Sequence, residues 1–302
     1  MIFNSLDALP TIVGKQGKAP SPHTRHRSNM MLNPLNLKHL NAIDSSNADV
    51  ITINLEDAIA PARKKEALEN ISIFLSHLKE SKSTIVVRTN ALNHGGADEI
   101  KFLNTLSFDA IRIPKVRQAK EVKEALKILS DEKELHISLE TKEAFHNIAS
   151  LRVDERVTTA NLGILDLLTS LSLPQSLVTQ GNPTIDYILS KFLVESLSAS
   201  IHPVSFMYQA YQDVVTFEKW CKYEKSMGFT SKACMGPKQV EIANKIFNIE
   251  NHEIQRAEEI KVLFEKHAHS SNTGFMHDIY GFIDEPIYRD SLLILKQNKE
   301  LQ

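Results

Sequence analysis

Glu140 and Asp166 are the residues from which chemistry can first be argued. Each stands where a short apolar run gives way to a polar, helix-prone stretch, in LHISLETKEAF and TTANLGILDLL. If the two runs are neighbouring strands of a parallel sheet, both carboxylates arrive at one edge. One or two carboxylates, with the remaining positions left to water and substrate, are how proteins hold Mg²⁺. No His or Cys falls at a matching strand end, so zinc is the weaker expectation. The plainer alternative is that each acid caps the helix that follows, as Asp166 before LLTSL could.

Arg88 is the next informative residue. It lies in IVVRTN, and an unpaired guanidinium buried in an apolar strand would be costly. It must therefore face a carboxylate, either Glu56 or Asp57 of the protein or one on a bound substrate. Other polar residues fall at comparable points: Glu56 and Asp57 after the second apolar run, Asn90 after the third, Lys115 after the fourth. Any one of these could simply meet solvent at a strand end. Together they gather acids, an arginine and a lysine around one rim. His136, four residues back from its strand end, reads as a buried structural histidine, and Trp220 and Tyr223 read as helix packing.

The elements needed to position these residues recur along the chain. Apolar runs at Asn29–Leu32, Val50–Leu55, Thr84–Thr89, Ala110–Pro114, Leu135–Glu140, Thr159–Ile164, Ile201–Phe206 and Phe229–Met235 are predicted strands. Between them, Arg63–Lys79, Ala119–Leu129 and Lys238–Phe247 carry apolar residues at helical spacing. The strands read as nearly all apolar, as expected when both sheet faces are covered. Strict alternation of strand and helix predicts a parallel sheet, and eight repeats predict an α/β fold of the (β/α)8 barrel type over 27–250. An open doubly wound sheet would normally show a glycine-rich turn after the first strand, and none is present. Residues 1–26 are polar, basic and Pro-bearing, and read as a flexible arm. Residues 251–302 do not fit the repeat. They predict a helix over Asn251–His269, a hairpin turning at Tyr280-Gly281, and a terminal helix, together a lid or oligomerisation arm.

Composition excludes several classes. The formal net charge of −2 gives no reason to expect a nucleic-acid or membrane partner, and no apolar run reaches the roughly 20 residues that span a bilayer. The N-terminus lacks a basic segment followed by an apolar core and a small-residue cleavage site, so the expected compartment is the cytoplasm. Cys221 and Cys234 have no metal-type spacing and read as reduced thiols.

Several stretches together resemble one family. Asn47–Lys65 (NADVITINLEDAIAPARKK) is similar to the signature of citrate lyase β-subunit-like proteins of the HpcH/HpaI aldolase family, with the malyl-CoA and citramalyl-CoA lyases. The likeness continues through TIVVRTN (84–90), AIRIPKV (110–116), ISLETKEAFHNI (137–148) and GFIDEP (281–286), and covers nearly everything from Arg27 onward. The resemblance implies a lyase that cleaves a β-hydroxyacyl-coenzyme A thioester with Mg²⁺ or Mn²⁺. It makes Glu140 and Asp166 the metal ligands, with Glu140 also facing substrate, and places Arg88 on the acyl carbonyl as a catalytic group. Arg27 would stand near the coenzyme A or substrate carboxyl end, with Glu56, Asp57 and Lys115 around the substrate. Asp284 would move a proton, reaching a neighbouring subunit's site within a homotrimer or hexamer. Subunits of a citrate lyase complex are further implied partners. A free 2-keto-3-hydroxy acid aldolase of the same barrel group, or a non-catalytic subunit homologue, are the alternatives. The chain departs from the family pattern at Leu165, where an acid is usual, at Met235-Gly236-Pro237, which lacks a histidine, at Ser205, where an aspartate is frequent, and at Asn33-Pro34-Leu35, which lacks a glycine.

Overall fold

The computed structural model describes residues 26–78, 81–267 and 274–301. The chain divides into two compact units, one running from His26 to Phe247 and the other from Asn248 to the C-terminus. Of the arm expected over 1–26, only His26 lies within the described residues.

In the first unit eight strands form one parallel sheet: β1 (Ser28–Leu32), β2 (Val50–Asn54), β3 (Thr84–Arg88), β4 (Ala110–Ile113), β5 (Glu134–Leu139), β6 (Val157–Leu162), β7 (His202–Val204) and β8 (Lys232–Cys234). Neighbours in sequence are neighbours in the sheet from β1 to β7, and β8 returns to pair with β1. Closure comes from a single parallel bridge, Ser205 to Lys232. It is flanked by backbone hydrogen bonds from Ser205 N–H to the Ser231 carbonyl and from Ala233 N–H to the Ser205 carbonyl, both 3.0 Å. The sheet is thus a (β/α)8 barrel.

The helices follow the strands as the sequence requires: α1 (Leu37–Asn41), α2 (Lys64–His77), α3 (Gly96–Leu103), α4 (Ala119–Ile128), α5 (Lys142–His146), α6 (Ile164–Ser170), α7 (Pro183–Ser198), α8 (Val214–Met227) and α9 (Pro237–Ile246). α2 buries Ala67, Ile71, Phe74 and Leu75, one stripe at helical spacing, against the barrel wall. α7 starts where Asn182 accepts hydrogen bonds from the N–H groups of Thr184 and Ile185, with Pro183 in the first turn. α8 stops at Gly228, whose φ of +107° suits a residue without a Cβ.

The strands are less uniformly apolar than their sequences read. Ile51, Ile53, Ile85, Val87, Ile111, Ile113, Ile137 and Leu139 join the main core. The residues between them point the other way, because side chains alternate across a strand. There Val50, Val86 and Ala110 form a small separate apolar cluster. Further along the same strands this inner face turns polar, with buried Thr52, Arg88, Arg112, Ser138 and Asn161. A barrel interior that changes from apolar to polar toward the C-terminal strand ends is a platform for a site.

The second unit holds α10 (Asn251–His267), an antiparallel hairpin of β9 (Gly274–His277) and β10 (Gly281–Asp284), and α11 (Glu285–Leu301). Phe264 and Tyr288 stack at 4.5 Å between α10 and α11. Among the described residues no helix is long and apolar enough to cross a membrane.

Candidate active site

The polar rim is assembled from the ends of five strands. Arg88 is the last residue of β3, and the register sets it beside Arg112 of β4 and Asn54 of β2. Its Nη2 lies 2.9 Å from Glu56 Oε2, 3.4 Å from Glu140 Oε2 and 3.8 Å from Asp57 Oδ2. The carboxylate that a buried guanidinium demands is therefore supplied by the protein, from β2 and β5 together. Arg88 Nε is different: buried, it has no hydrogen-bond partner among the described residues.

The turn after β2 is held in place by its own side chains. Lys64 Nζ donates to the carbonyls of Leu55 (2.7 Å) and Glu56 (2.6 Å) and to Asn90 Oδ1 (2.7 Å), while Asn54 bonds the backbone of Glu56 and Asp57. The loop after β4 is strained. Lys115 has φ of +54°, a left-handed conformation uncommon for a residue with a side chain. That conformation aims its N–H at Glu140 Oε1 (2.7 Å), while its Nζ meets Glu56 Oε1 at 2.8 Å and Asp57 Oδ1 at 3.5 Å. One residue thus fixes the β5 carboxylate by its backbone and the β2 acids by its ammonium.

Glu140 immediately follows β5, with only 4% of its surface exposed. Burial pushes its pKa up, against the charge of Arg88 and the Lys115 N–H that favour the anion; the charge of Asp166 also raises it. Asp166 sits exposed in the first turn of α6, and Gly163 rather than Asp166 occupies the capping position. A Cβ on Gly163 would lie 2.7 Å from both Cβ and Oε2 of Glu140. Only glycine lets the β6–α6 connection, which carries Asp166, close so tightly on Glu140.

Glu56 and Asp57 behave as a pair. Burial raises both; for Glu56, hydrogen bonds from Asp57 and Lys115 and the charge of Arg88 outweigh it and bring the pKa to about 2. Asp57, beside that anion, is pushed up to about 6. Two acids with pKa values driven apart hold one proton between them in the window from about 2 to about 6, on the Asp57 side.

Beneath this rim runs a network the sequence reasoning missed. Arg112 donates from Nε to Ser138 Oγ (3.1 Å) and from Nη1 to Asn161 Oδ1 (3.0 Å), and Asn161 also accepts from Asn29 Nδ2 (3.1 Å). Burial, with the neighbouring charge of Arg88, lowers the Arg112 pKa to about 9. The signal was available, since Arg112 interrupts AIRIP as Arg88 interrupts IVVRTN. Gly163 gave no comparable signal.

A cavity of about 330 Å³ opens among these groups. Arg88, Glu140, Asp57, Asp166 and Arg112 line it, and Met31, Leu165, Met207 and Met235 add apolar surface. Leu165 thus stands in the site itself. At Gly236, the space a side chain would need is filled by the Tyr211 ring, 2.9 to 3.1 Å from where a Cβ would lie.

Arg27 is not brought to this rim. It precedes β1 and forms a two-pronged ion pair with Asp49, Nε to Oδ2 at 2.8 Å and Nη2 to Oδ1 at 3.0 Å, before β2 begins. The strand runs from Arg27 toward the rim, and five residues at about 3.3 Å each put it on the order of 16 Å away. The expectation of a substrate contact from Arg27 is therefore corrected: it ties together the N-terminal ends of the parallel strands β1 and β2, away from the rim. Asp284 belongs to the second unit, where it ends β10 and accepts a hydrogen bond from Ile287 N–H (3.3 Å) at the start of α11.

The donor set suits a hard cation. Two carboxylates, one of them desolvated with a raised pKa, supply only oxygen, and the cavity leaves room for water and substrate oxygens.

Comparisons with known proteins agree on one family. Residues 27–237 match the model of the HpcH/HpaI aldolase/citrate lyase family. The chain is 29% identical to a (3S)-malyl-CoA thioesterase of Cereibacter sphaeroides, over 72% of this chain and 76% of that protein. It is 25% identical to the citrate lyase subunit beta of Leuconostoc mesenteroides subsp. cremoris, over 82% and 85% respectively. In fold it resembles protein CitE of Mycobacterium tuberculosis, solved in complex with magnesium, acetoacetate and coenzyme A. That match has a TM-score of 0.73 at 17% identity and covers 92% of this chain and 99% of that one.

Proposed function

The chain belongs to the HpcH/HpaI aldolase/citrate lyase family, and on that footing we propose that it cleaves the carbon–carbon bond of a β-hydroxyacyl thioester with Mg²⁺ at Glu140 and Asp166. The observation that carries this reading is the rim itself. A desolvated glutamate and an exposed aspartate converge on one cavity with a buried arginine whose Nε–H has no partner among the described residues. A bound Mg²⁺ would supply Lewis-acid polarisation of the substrate's hydroxyl and carboxylate oxygens and orient them.

The remaining work falls to side chains. Breaking the bond between Cα and Cβ turns the hydroxyl carbon into a carbonyl and leaves the electron pair on the thioester as an enolate. Arg88 would receive the thioester oxygen, where that charge develops, with Nε–H as the free donor. Glu56 and Asp57 keep the guanidinium oriented and partly neutralised. Lys115 holds Glu140 in place through its N–H. The hydroxyl proton must be taken up and a proton delivered to Cα, and Asp284 is assigned the transfer at Cα, acting in a homo-oligomer from a neighbouring subunit.

A second reading has a specific basis, because the thioesterase relative is 29% identical over most of the chain. The same site could direct water at the thioester carbonyl. Product analysis separates the two: malyl-CoA or citramalyl-CoA incubated with Mg²⁺ should yield equal amounts of a 2-keto acid and a shortened acyl-CoA. Free coenzyme A with an intact hydroxy acid would instead establish hydrolysis. Turnover of free hydroxy-keto acids alone would place the chain with the aldolases.

A further inference from the structure

We propose that a groove on the outer wall of the barrel, beside the active rim, binds a phosphorylated metabolite that carries an aromatic base. The groove has a volume of about 800 Å³, within the range of small-ligand sites, and lies among α4, α5 and α7. Its charged lining is one-sided: Arg117, Lys120, Lys142 and Lys191 face it, with Glu143 the one carboxylate. In a chain with 35 Lys and Arg against 37 Asp and Glu, that is a local reversal of charge.

The acids nearby do not cancel it. Glu121 is occupied by the backbone N–H groups of Arg117 and Gln118, to which it bonds at 2.6 and 3.3 Å. Glu124 meets Lys120 only at 3.8 Å and exposed, where such pairs contribute little. Lys191 pairs with Glu195 and also lies over the Phe145 ring, 5.4 Å from its centroid. The side chains of Arg117 and Lys142 enter no ion pair among the described residues. Two uncompensated cations flanking a concave surface match a phosphate or diphosphate, to which guanidinium and ammonium groups donate charge-assisted hydrogen bonds.

The aromatic component comes from Tyr187. Its ring is 62% exposed and stands edge-on to the buried Phe145, with centroids 6.5 Å apart. An exposed, propped ring at the wall of a cationic groove offers a face for a base to stack on. Ring and phosphate-binding groups in one concavity fit a nucleotide-class ligand better than a simple oxyanion. The position matters too. Lys142 follows Glu140 by two residues and Arg117 follows Lys115 by two, so binding here bears on the loops that hold the Glu140 carboxylate.

Calorimetric titration without added metal, at low salt, tests the proposal with ADP and inorganic diphosphate as probes. Wild-type protein should bind ADP more tightly than diphosphate. The doubly substituted Arg117→Ala, Lys142→Ala protein should bind ADP at least about ten-fold more weakly, the scale of one lost charge-assisted contact. Tyr187→Ala should remove the advantage of ADP over diphosphate. Asp166→Asn, in the rim cavity, should leave ADP binding unchanged. All four positions are exposed, so the variants are expected to fold, and circular dichroism checks this. No binding at millimolar ADP, or ADP binding retained by the double variant whatever Asp166→Asn does, overturns the proposal. Equal affinity for ADP and diphosphate overturns the part that assigns a base to Tyr187.

Discussion

Arg88→Lys keeps a cation beside Glu56 but removes the Nε–H and the planar fork. If Arg88 stabilises developing charge on the substrate, turnover should fall on the order of 100-fold while the melting temperature changes little. Unchanged turnover would leave Arg88 as a structural ion-pair partner only. The acid pair makes a second, independent expectation. Asp57 has a folded pKa of about 6 against 3.8 for the free side chain, so the folded state holds its proton more tightly. That stabilising contribution is complete below pH ~4 and is lost as pH rises through about 6. Thermal unfolding of Asp57→Asn should therefore match wild type near pH 4 and exceed it near pH 7, by a small margin because the side chain is over half exposed. An unchanged difference across that window would mean the proton is not shared at Asp57. Arg88 and the acids around it were legible in the sequence because charge in an apolar strand must be answered. Arg112 obeys the same rule and was overlooked. Arg27 was misplaced because a motif match does not say which end of a strand a residue marks.

Gly163 belongs to the scale of elements, since its role is to let one connection close on another. Gly163→Ala would drive a Cβ into Glu140, and overpacking of this kind costs about 1–3 kcal/mol. Chemical denaturation should register that loss, and Mg²⁺ affinity should fall as the loop bearing Asp166 moves away; wild-type behaviour in both would refute the close approach. Elsewhere in the barrel wall, Lys232 of β8 and Glu224 of α8 form a fully buried pair at 2.7 Å, with Lys232 Nζ 3.9 Å from the centroid of the Phe206 ring. Glu224→Ala leaves that ammonium without its partner and should cost about 3–5 kcal/mol in urea unfolding. All eight strands could be read from their apolar runs. The expected Ile201–Phe206 and Phe229–Met235 are observed as only His202–Val204 and Lys232–Cys234, because these two strands meet at the closing seam, where a single bridge joins them. The alternation that buries polar residues inside was hidden, since isoleucine and valine on the outer face dominate each run.

At the scale of the whole molecule, the second unit begins at Asn248, and its hairpin and two helices have a pattern of their own. What that unit does could not be read from periodicity, because a hairpin between two helices carries no repeat that assigns it a role. If Asp284 serves a neighbouring subunit, mixing inactive Asp284→Asn and Glu140→Gln proteins, after subunit exchange, should restore part of the wild-type activity. A mixture as inactive as its components would confine the site to one chain, or remove Asp284 from it.

The central claim is that Glu140 and Asp166 hold the metal on which the activity depends. Titration of Mg²⁺ into the metal-free protein, with and without a 2-keto acid, addresses it most directly. The expected result is one ion per chain, bound more tightly when the keto acid is present, with binding lost in both Glu140→Gln and Asp166→Asn. Mg²⁺ binding that persists in both variants, or its absence from the wild-type protein with the keto acid present, would contradict the account.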